Sequence, residues 1–358
     1  MSSHFFSGGE VLLDRYRVDR YLDEGGMQQV YVATDLTFER DVVLKVPKNP
    51  SAEKRFARSA RMSARVTHAN VAKTLDYFEA DSRSYLVEEY IQGSDLKQLL
   101  DMRFAYFDPH LAGHVIHQLA KGLAAAHHAG VFHRDVKPSN VMVSGDANLS
   151  MVKITDFGIA KMTEEELVGA MKDESSISGS QTVLGALPYM APEMVRDPKK
   201  ADLPADVWAL GAMLYALLSG AAPFGAGLAA IPAILEAKPP PKPVLFDRKL
   251  QFSPLTDGLW SIVEACLTKN PDKRPTADEL VQVCARLCYS DAPRLEGTIS
   301  RFRHGTGAWG FIGADPGFEV FFHIDSYYGE KPKPGVRVNF ACFEGHPSHR
   351  AFPVLPLK

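Results

Sequence analysis

Two closely spaced polar segments constrain this chain more than any other feature. The first, "VFHRDVKPSNVMV", contains Asp135, Lys137 and Asn140, and the second, "VKITDFGIA", contains Asp156. Together they supply a carboxylate that can orient a hydroxyl, a cation for a phosphate and oxygen ligands for magnesium, which are the groups that phosphoryl transfer needs. Because "YMAPE" follows the second segment, a chance occurrence of the whole set is implausible.

From Leu13 to about Cys288 the chain resembles the bacterial Ser/Thr protein kinases of eukaryotic type, whose sequences look like "GGM..VY.A.D", "HRD.KP.N", "DFGIAK" and "YMAPE". The resemblance implies an α+β, bilobal fold over residues 13–288. Its small lobe would cover about 13–90 and its large lobe about 91–288. It also implies ATP and Mg²⁺ as cofactors and a protein as the substrate.

The resemblance assigns a role to each of five residues. Lys45 in "VVLKV" would bind the α- and β-phosphates of ATP. Asp135 would be the catalytic base and Lys137 the contact to the γ-phosphate, whereas Asn140 and Asp156 would hold magnesium. A lysine at position 137 favours Ser/Thr acceptors over Tyr acceptors.

Three more residues match structural positions of the family's large lobe. Glu193 in "APE" and Arg274 in "DKRPTA" would form an ion pair. Asp206 in "DVWALG" matches the aspartate that supports the catalytic loop.

The glycine-rich loop departs from the family pattern. In "DEGGMQQV" the three glycines of the family fall on Asp23, Gly25 and Gln28, so only Gly25 remains in register, beside Gly26. Side chains at the outer positions restrict the positive φ that turns backbone N–H groups onto a phosphate, and Asp23 adds a repelling charge. Gly25 and Gly26 can still bend the loop and Val30 can still cover the adenine, so the sequence predicts a degraded but usable ATP clamp.

A second departure concerns the partner of Lys45. Alignment puts Ser59 where the family carries the helix glutamate that pairs with this lysine. In "YLVEEYI" Glu89 becomes the adenine-side hinge residue, and Glu88 occupies the normally apolar gatekeeper position. Since a lone buried carboxylate is costly, we hypothesise that Glu88 pairs with Lys45. The alternative is that Glu88 turns to solvent or is protonated.

The segment between Asp156 and Glu193 carries the remaining departure and the candidate regulatory sites. Ala186 stands where a threonine of the family supports the catalytic aspartate, so its hydroxyl is lost. Arg134 precedes Asp135, and kinases with that arginine are often switched by a phosphate on this loop. Three residues there are candidate phosphorylation sites: Ser178, Ser180 and Thr182. The alternative is that the serine-rich loop is simply polar.

The last sixty or so residues have a different pattern. "GTISRF", "GAWGFI" and "EVFFHID" resemble the first three strands of a cold-shock domain, and the match runs from about Gly297 to Val354. It implies a small all-β, OB-type, five-stranded barrel over residues 295–358. Residues 289–294 would be the linker.

Such barrels bind single-stranded RNA or DNA by stacking bases on aromatic side chains. Arg301 stands in place of the family's first tryptophan and could itself stack on a base. The predicted stacking platform consists of Arg301, Phe302, Trp309, Phe311, Phe321 and His323. The alternative is a protein-interaction barrel, because aromatic residues of a small barrel can also form its core.

Composition narrows the classes of partner. The formal net charge of −3 over 358 residues predicts no bulk attraction to nucleic acid or to an anionic membrane. The N-terminal sequence lacks a signal-peptide pattern, and the apolar segment 207–224 is interrupted by glycines and ends in proline. We therefore expect a cytoplasmic protein without a membrane partner, whose oligomeric state the sequence leaves open.

Two functions follow from these patterns. The first is an ATP-dependent Ser/Thr protein kinase with a C-terminal module for single-stranded nucleic acid. The second is a nucleotide-binding pseudokinase that acts as a scaffold for that module. The intact Lys45, Asp135, Asn140 and Asp156 favour the first, whereas the altered glycine loop, Ser59 and Ala186 favour the second.

Overall fold

The computed structural model describes most of the chain. The described ranges are residues 4–24, 28–48, 50–157, 185–197, 202–238, 240–305 and 307–358. Within them the chain forms a small lobe rich in strands, a large lobe rich in helices and a closed barrel. The predicted α+β architecture of two lobes followed by a five-stranded barrel is confirmed.

The small lobe is an antiparallel sheet with one helix packed on it. Its elements are β1 (Val11–Leu12), β2 (Tyr16–Glu24), β3 (Gln28–Asp35), β4 (Arg40–Pro47), α1 (Pro50–Ser63), β5 (Thr74–Ala80) and β6 (Arg83–Glu89). The strands lie in the order β1-β2-β3-β4-β6-β5. This order places β6 directly beside β4 and so brings the predicted hinge strand next to the strand of Lys45.

Alternation along β4 sets the direction of each side chain. Val42 and Leu44 are fully buried in the core of the sheet, and successive side chains of a strand point to opposite faces. Lys45 therefore points to the other face. On that face α1 packs Phe56 against Leu86, which pairs with Lys45 across β4 and β6.

The large lobe is built from eight described helices and a small sheet. The helices are α2 (Leu96–Met102), α3 (Pro109–His128), α4 (Pro192–Arg196), α5 (Leu203–Ser219), α6 (Ile231–Glu236), α7 (Val244–Arg248), α8 (Ser253–Cys266) and α9 (Ala277–Ala285). The sheet has the strand order β7 (Gly93–Asp95), β8 (Val141–Ser144), β9 (Val152–Ile154). Almost every residue of α5 is buried, which fits its apolar sequence. None of the helices in the described ranges is long and apolar enough to cross a membrane.

The C-terminal barrel follows after a short connection. Its strands are β10 (Arg294–Arg303), β11 (Trp309–Ala314), β12 (Glu319–His323), β13 (Arg337–Phe343) and β14 (His349–Pro356). They close in the order β10-β11-β12-β14-β13, with β12 and β14 parallel. Apolar residues that alternate along the strands, including Ile312, Val320 and Val338, form a core of its own. The first strand begins at Arg294, one residue before the predicted boundary.

Candidate active site

A cleft of about 690 Å³ lies between the two lobes. Residues of both lobes line it, including residues of α2 in the large lobe. Its walls include Val30, Lys45, Glu88, Asp101, Met142 and Asp156. Ligand pockets commonly have volumes of about 300–1,000 Å³, so the cleft has room for a nucleotide. The fold thus brings together predicted site residues that are more than a hundred positions apart in the sequence.

The catalytic loop holds Asp135 by one of its two carboxylate oxygens. The amide nitrogen of Asn140 donates to Oδ2 of Asp135 at 3.0 Å, and Nζ of Lys137 lies 2.8 Å from the same atom. Asn140 ends a short 3₁₀ turn, Pro138–Asn140, which brings its side chain back toward Asp135. Because both contacts use Oδ2, the other oxygen of Asp135 remains available to a hydroxyl group as far as the described residues show.

Asp206 fixes the backbone of the loop that carries Asp135. It lies on α5, is almost completely buried, and accepts hydrogen bonds from the backbone N–H groups of His133 and Arg134 at 2.9 and 2.6 Å. A third contact joins it to Nε2 of His127 at 3.0 Å. Arg134 has a φ of +67°, which non-glycine residues rarely adopt. The predicted supporting role of Asp206 is confirmed, and its two backbone contacts stabilise this turn.

Lys45 makes two ion pairs inside the cleft. Its Nζ lies 2.5 Å from Oε2 of Glu88 and 2.7 Å from Oδ1 of Asp156. Val43 pairs with Glu88 across β4 and β6, so Lys45 and Glu88 are diagonal neighbours on one face, within reach of long side chains. The side chain of Glu88 is only 6% exposed. The hypothesis that Glu88 pairs with Lys45 is confirmed, and the solvent-facing alternative is wrong.

The pKa values of Lys45, Glu88 and Asp156 are not all shifted in the same direction. Burial raises the pKa of Glu88, although the neighbouring Lys45 opposes this. Burial also acts to raise the pKa of Asp156, but the charge and hydrogen bond of Lys45 outweigh it, and the pKa of Asp156 falls below its usual range. Burial acts to lower the pKa of Lys45, yet the two carboxylates outweigh it and raise that pKa. Lys45 and Asp156 are therefore charged at neutral pH, and Glu88 is the first of the two carboxylates to take up a proton.

The donor set fits a magnesium ion held together with phosphates. Asn140 uses its amide nitrogen for both hydrogen bonds to Asp135, one to the carboxylate and one to the backbone oxygen. Its carbonyl oxygen is thereby oriented away from them. Asp156 keeps Oδ2 for a ligand apart from a long contact to Thr155 at 3.4 Å. Mg²⁺ is usually bound by one or two carboxylates plus substrate phosphates, and the described residues contain no larger cluster of metal-binding side chains.

The structure describes only part of the glycine loop. Gly25 and Gly26 lie outside the described residues, whereas Val30 lines the cleft and its role over the adenine stays a prediction. Gln28, which replaces a glycine of the family, donates from Nε2 to Oδ1 of Asp156 at 3.4 Å. The side chain therefore reaches across the cleft to a predicted magnesium ligand. Sequence reasoning treated Gln28 only as a missing glycine, because no local pattern indicates a contact across 128 residues.

A small void lies beside Asp135. It has a volume of about 10 Å³, and Arg134, Asp135 and Ala186 line it. Ala186 is the residue at which the resemblance expects a threonine, so the missing hydroxyl would lie at this void. The three candidate phosphorylation sites, Ser178, Ser180 and Thr182, lie outside the described residues.

Three other predicted residues form ion pairs, Glu89 at the border of the cleft and Glu193 with Arg274 in the large lobe. Both carboxylate oxygens of Glu89 lie 2.7 Å from Nζ of Lys153, and one of them accepts from the backbone N–H of Lys73. Glu89 borders the cleft, and its role beside the adenine stays a prediction. Arg274 donates to both oxygens of Glu193, at 2.5 and 2.8 Å, which confirms the predicted ion pair.

The comparison with protein families agrees with this geometry. Residues 16–284 match the family described as protein kinase domain. The chain belongs to this family. The match covers both lobes and ends before β10, so it leaves the barrel outside.

Two similar proteins come from bacteria. The chain is 33% identical to serine/threonine-protein kinase Pkn3 of Myxococcus xanthus over 303 residues, which are 82% of this chain and 53% of that protein. It is 31% identical to the probable serine/threonine-protein kinase PknB of Corynebacterium glutamicum over 290 residues, 77% of this chain and 43% of that protein. The chain thus spans about half the length of these relatives or less.

A solved structure shares the fold. The crystal structure of Rad53 residues 1–466 with AMP-PNP matches with a TM-score of 0.57 and 20% identity, and the match covers 75% of this chain and 64% of that one. At this identity the likeness concerns the fold alone.

The C-terminal barrel carries an aromatic face on β11 and β12. The ring centroids of Trp309, Phe311 and Phe321 lie 5.7 to 6.1 Å apart, because Phe311 pairs with Phe321 across the two strands. All three side chains are partly exposed. The guanidinium of Arg301 lies 4.3 Å from the ring centre of Phe311, and that of Arg350 lies 4.6 Å from the ring centre of Phe321.

The two other predicted platform residues differ in position. Phe302 pairs with Gly310 and stacks on the buried Phe322 at 5.9 Å, so it packs against the barrel core. His323 pairs with Trp309 across β11 and β12 and so lies on the aromatic face, where its ring is also 3.1 Å from Asp325. Arg350 was missed from the sequence, since its place follows from the parallel pairing of β12 with β14.

Proposed function

We propose that the chain is an active Ser/Thr protein kinase that transfers the γ-phosphate of ATP to hydroxyl groups of proteins. One observation carries the proposal. Asp135 is fixed by Asn140 and Lys137 through a single oxygen, and its second oxygen is left for the acceptor hydroxyl. Relatives named as Ser/Thr kinases, and the lysine at position 137, support the choice of acceptor.

The residues of the cleft would act as follows. Asp135 accepts a hydrogen bond from the serine or threonine hydroxyl and holds its oxygen in line with the γ-phosphorus. As the new oxygen–phosphorus bond forms, the bond to the β,γ-bridging oxygen breaks and ADP leaves with that electron pair. The hydroxyl proton passes to Asp135. Lys137 and Lys45 bind phosphate oxygens and counter the negative charge that the phosphates bring into the cleft.

Asn140 and Asp156 would hold Mg²⁺, which when bound neutralises charge on the phosphates. For this to happen Asp156 must share its carboxylate between the metal and Lys45. Its lowered pKa keeps it ionised for both partners.

A transfer assay tests the proposal. Labelled ATP and magnesium are incubated with the protein and with a generic basic protein substrate, and Asp135→Asn serves as the control. Incorporation that disappears in the control supports the kinase. Measurable ATP binding without incorporation would refute it and favour the pseudokinase scaffold.

We also propose that the barrel is an OB-type module for single-stranded RNA or DNA. The supporting observation is the face formed by Trp309, Phe311 and Phe321, where neighbouring rings could stack on successive bases. Arg301 and Arg350 already lie over two of these rings. Cationic planes of this kind can stack on a base and contact its phosphate. A protein-interaction barrel is the competing function.

A further inference from the structure

The barrel packs on the large lobe through a continuous apolar contact. Phe352 of β14 stacks on Phe252 with an interplanar angle of 3° and a centroid distance of 5.2 Å. Tyr328 and Leu355 of the barrel are fully buried and belong to the hydrophobic core of the large lobe. Domains joined only by a linker move relative to each other unless their interface is large and apolar. This interface fixes the barrel on the kinase.

Polar contacts fix the position of the barrel on the large lobe. Arg294 of β10 lies 2.5 Å from Oδ2 of Asp108, and both side chains are buried. Asp108 also caps α3 with its other oxygen. Arg294 and Asn339 hydrogen-bond each other, and Asn339 donates to the backbone oxygen of Ala147 at 2.9 Å. Buried charges and amides of this kind are stable only when all partners are in place.

A second group of contacts ties the barrel to the end of α2. Nζ of Lys358 donates to the backbone oxygens of Leu100 and Asp101 at 2.5 and 3.1 Å, and its backbone N–H donates to Arg103 at 2.9 Å. Arg103, which follows Met102 as the C-cap of α2, forms an ion pair with Glu296 of β10. The last carbonyl groups of a helix have no hydrogen-bond partner within the helix, and they favour a nearby cation. The ammonium group of Lys358 is both the hydrogen-bond donor and the cation at the end of α2.

The same helix forms part of the nucleotide cleft. Lys97, Gln98, Asp101 and Met102 of α2 line it together with Lys45 and Asp156. Alone, α2 has only seven residues, and helices this short depend on tertiary contacts.

We propose that the barrel is a positioning element of the nucleotide site: through Lys358 and Glu296 it fixes α2 and thereby sets the affinity of the cleft for Mg·ATP. The inference rests on the nucleotide binding in the proposed function. By reciprocity, a bound nucleotide strengthens the docking of the barrel by the same factor.

The test is the double variant Glu296→Ala, Lys358→Ala. Its control is Glu344→Ala, Lys331→Ala, which removes the same charges from exposed barrel positions whose side chains make no hydrogen bond or ion pair among the described residues. Two quantities are measured for each protein: hydrogen exchange of the α2 amides, and affinity for a non-hydrolysable ATP analogue with magnesium. Thermal unfolding of each variant shows that it remains folded.

We expect faster exchange in α2 and a roughly five- to tenfold loss of affinity in the test variant, at the low end of couplings between sites, with neither change in the control. Unchanged affinity, or equal changes in both variants, would overturn the inference. Absence of nucleotide binding in the unmodified protein would refute the proposed function and the coupling together, and so differs from an effect of the variants alone.

Discussion

Glu88 and Lys45 form a buried ion pair at 2.5 Å across neighbouring strands of the small lobe. The resemblance to protein kinases implies a partner for this lysine on the helix that α1 represents here, where Ser59 is buried instead. Because the carboxylate is on a strand and not on a helix, a different element determines its distance from Lys45. A helix can shift relative to the sheet, whereas the register of β4 and β6 fixes Glu88 beside Lys45. We infer that Lys45 is held in place without any requirement on the position of α1.

The Glu88→Gln variant keeps the shape of the side chain and removes its charge. Lys45 then has only Asp156 to balance it, which draws Asp156 away from magnesium. We expect kcat/KM for ATP to fall by about tenfold or more, equivalent to about 1.4 kcal/mol. Steady-state kinetics at varied ATP concentration measure this fall.

Two further variants complete this experiment. Glu79→Gln changes an exposed glutamate of β5 and serves as the charge-matched control, with activity expected to be unchanged. Adding Ser59→Glu to Glu88→Gln restores the family arrangement and should recover part of the loss. If Glu88→Gln retains full activity, the pair has no catalytic role.

Motif spacing and strand alternation made much of this site predictable. Asp135 and Asn140 lie where the motif puts them, because they are close in sequence within one short loop that their own hydrogen bond closes. Asp206 was placed beneath this loop by its own motif on α5, and its hydrogen bonds to His133 and Arg134 agree with that. The Lys45–Glu88 contact was also predictable, since both residues lie on neighbouring strands and a lone buried carboxylate needs a partner.

Contacts between distant surfaces could not be predicted in this way. Arg294 meets Asp108 across 186 positions, and Lys358 meets Leu100 across 258. No motif or periodic pattern in the sequence indicates either pair, because each contact depends on how two complete domains pack against each other. The contact of Gln28 with Asp156 across the cleft has the same origin. The sequence thus predicts each domain but not the way in which one positions the other.

The void beside Asp135 leads to a prediction that activity can be raised. Ala186→Thr fills the gap of about 10 Å³ and places a hydroxyl beside the catalytic aspartate. A hydrogen bond contributes about 0.5–1.5 kcal/mol, so we expect kcat to rise by roughly two- to tenfold. Ala186→Val is the matched control, because it adds similar volume without the hydroxyl. An equal rise in both variants would attribute the effect to packing alone.

Gln28 is expected to oppose the binding of Mg·ATP. Its amide donates to Asp156, a predicted magnesium ligand, and its side chain occupies the place of a glycine. Gln28→Gly removes a hydrogen bond of about 0.5–1.5 kcal/mol and restores freedom to the loop. We expect the KM for ATP to fall several-fold. Gln28→Glu, which places a second carboxylate beside Asp156, should raise KM instead, and a rise in both variants would show that Gln28 assists binding.

The aromatic face of the barrel is tested by removing one ring at a time. If Trp309 and Phe321 stack on bases, Trp309→Ala and Phe321→Ala should each weaken binding of a labelled single-stranded oligonucleotide by about 1–3 kcal/mol, or roughly 5- to 150-fold. Phe318→Ala is the control, since this exposed ring contacts only His349 among the described aromatic residues. Fluorescence anisotropy with matched RNA and DNA strands gives the affinities. Residues 295–358 contain seven Lys and Arg side chains against six Asp and Glu side chains. Because these charges nearly balance, stacking must provide most of the affinity, and binding should depend only weakly on salt. Equal affinities for all three variants and the unmodified kinase would refute the platform and favour a protein partner for this face.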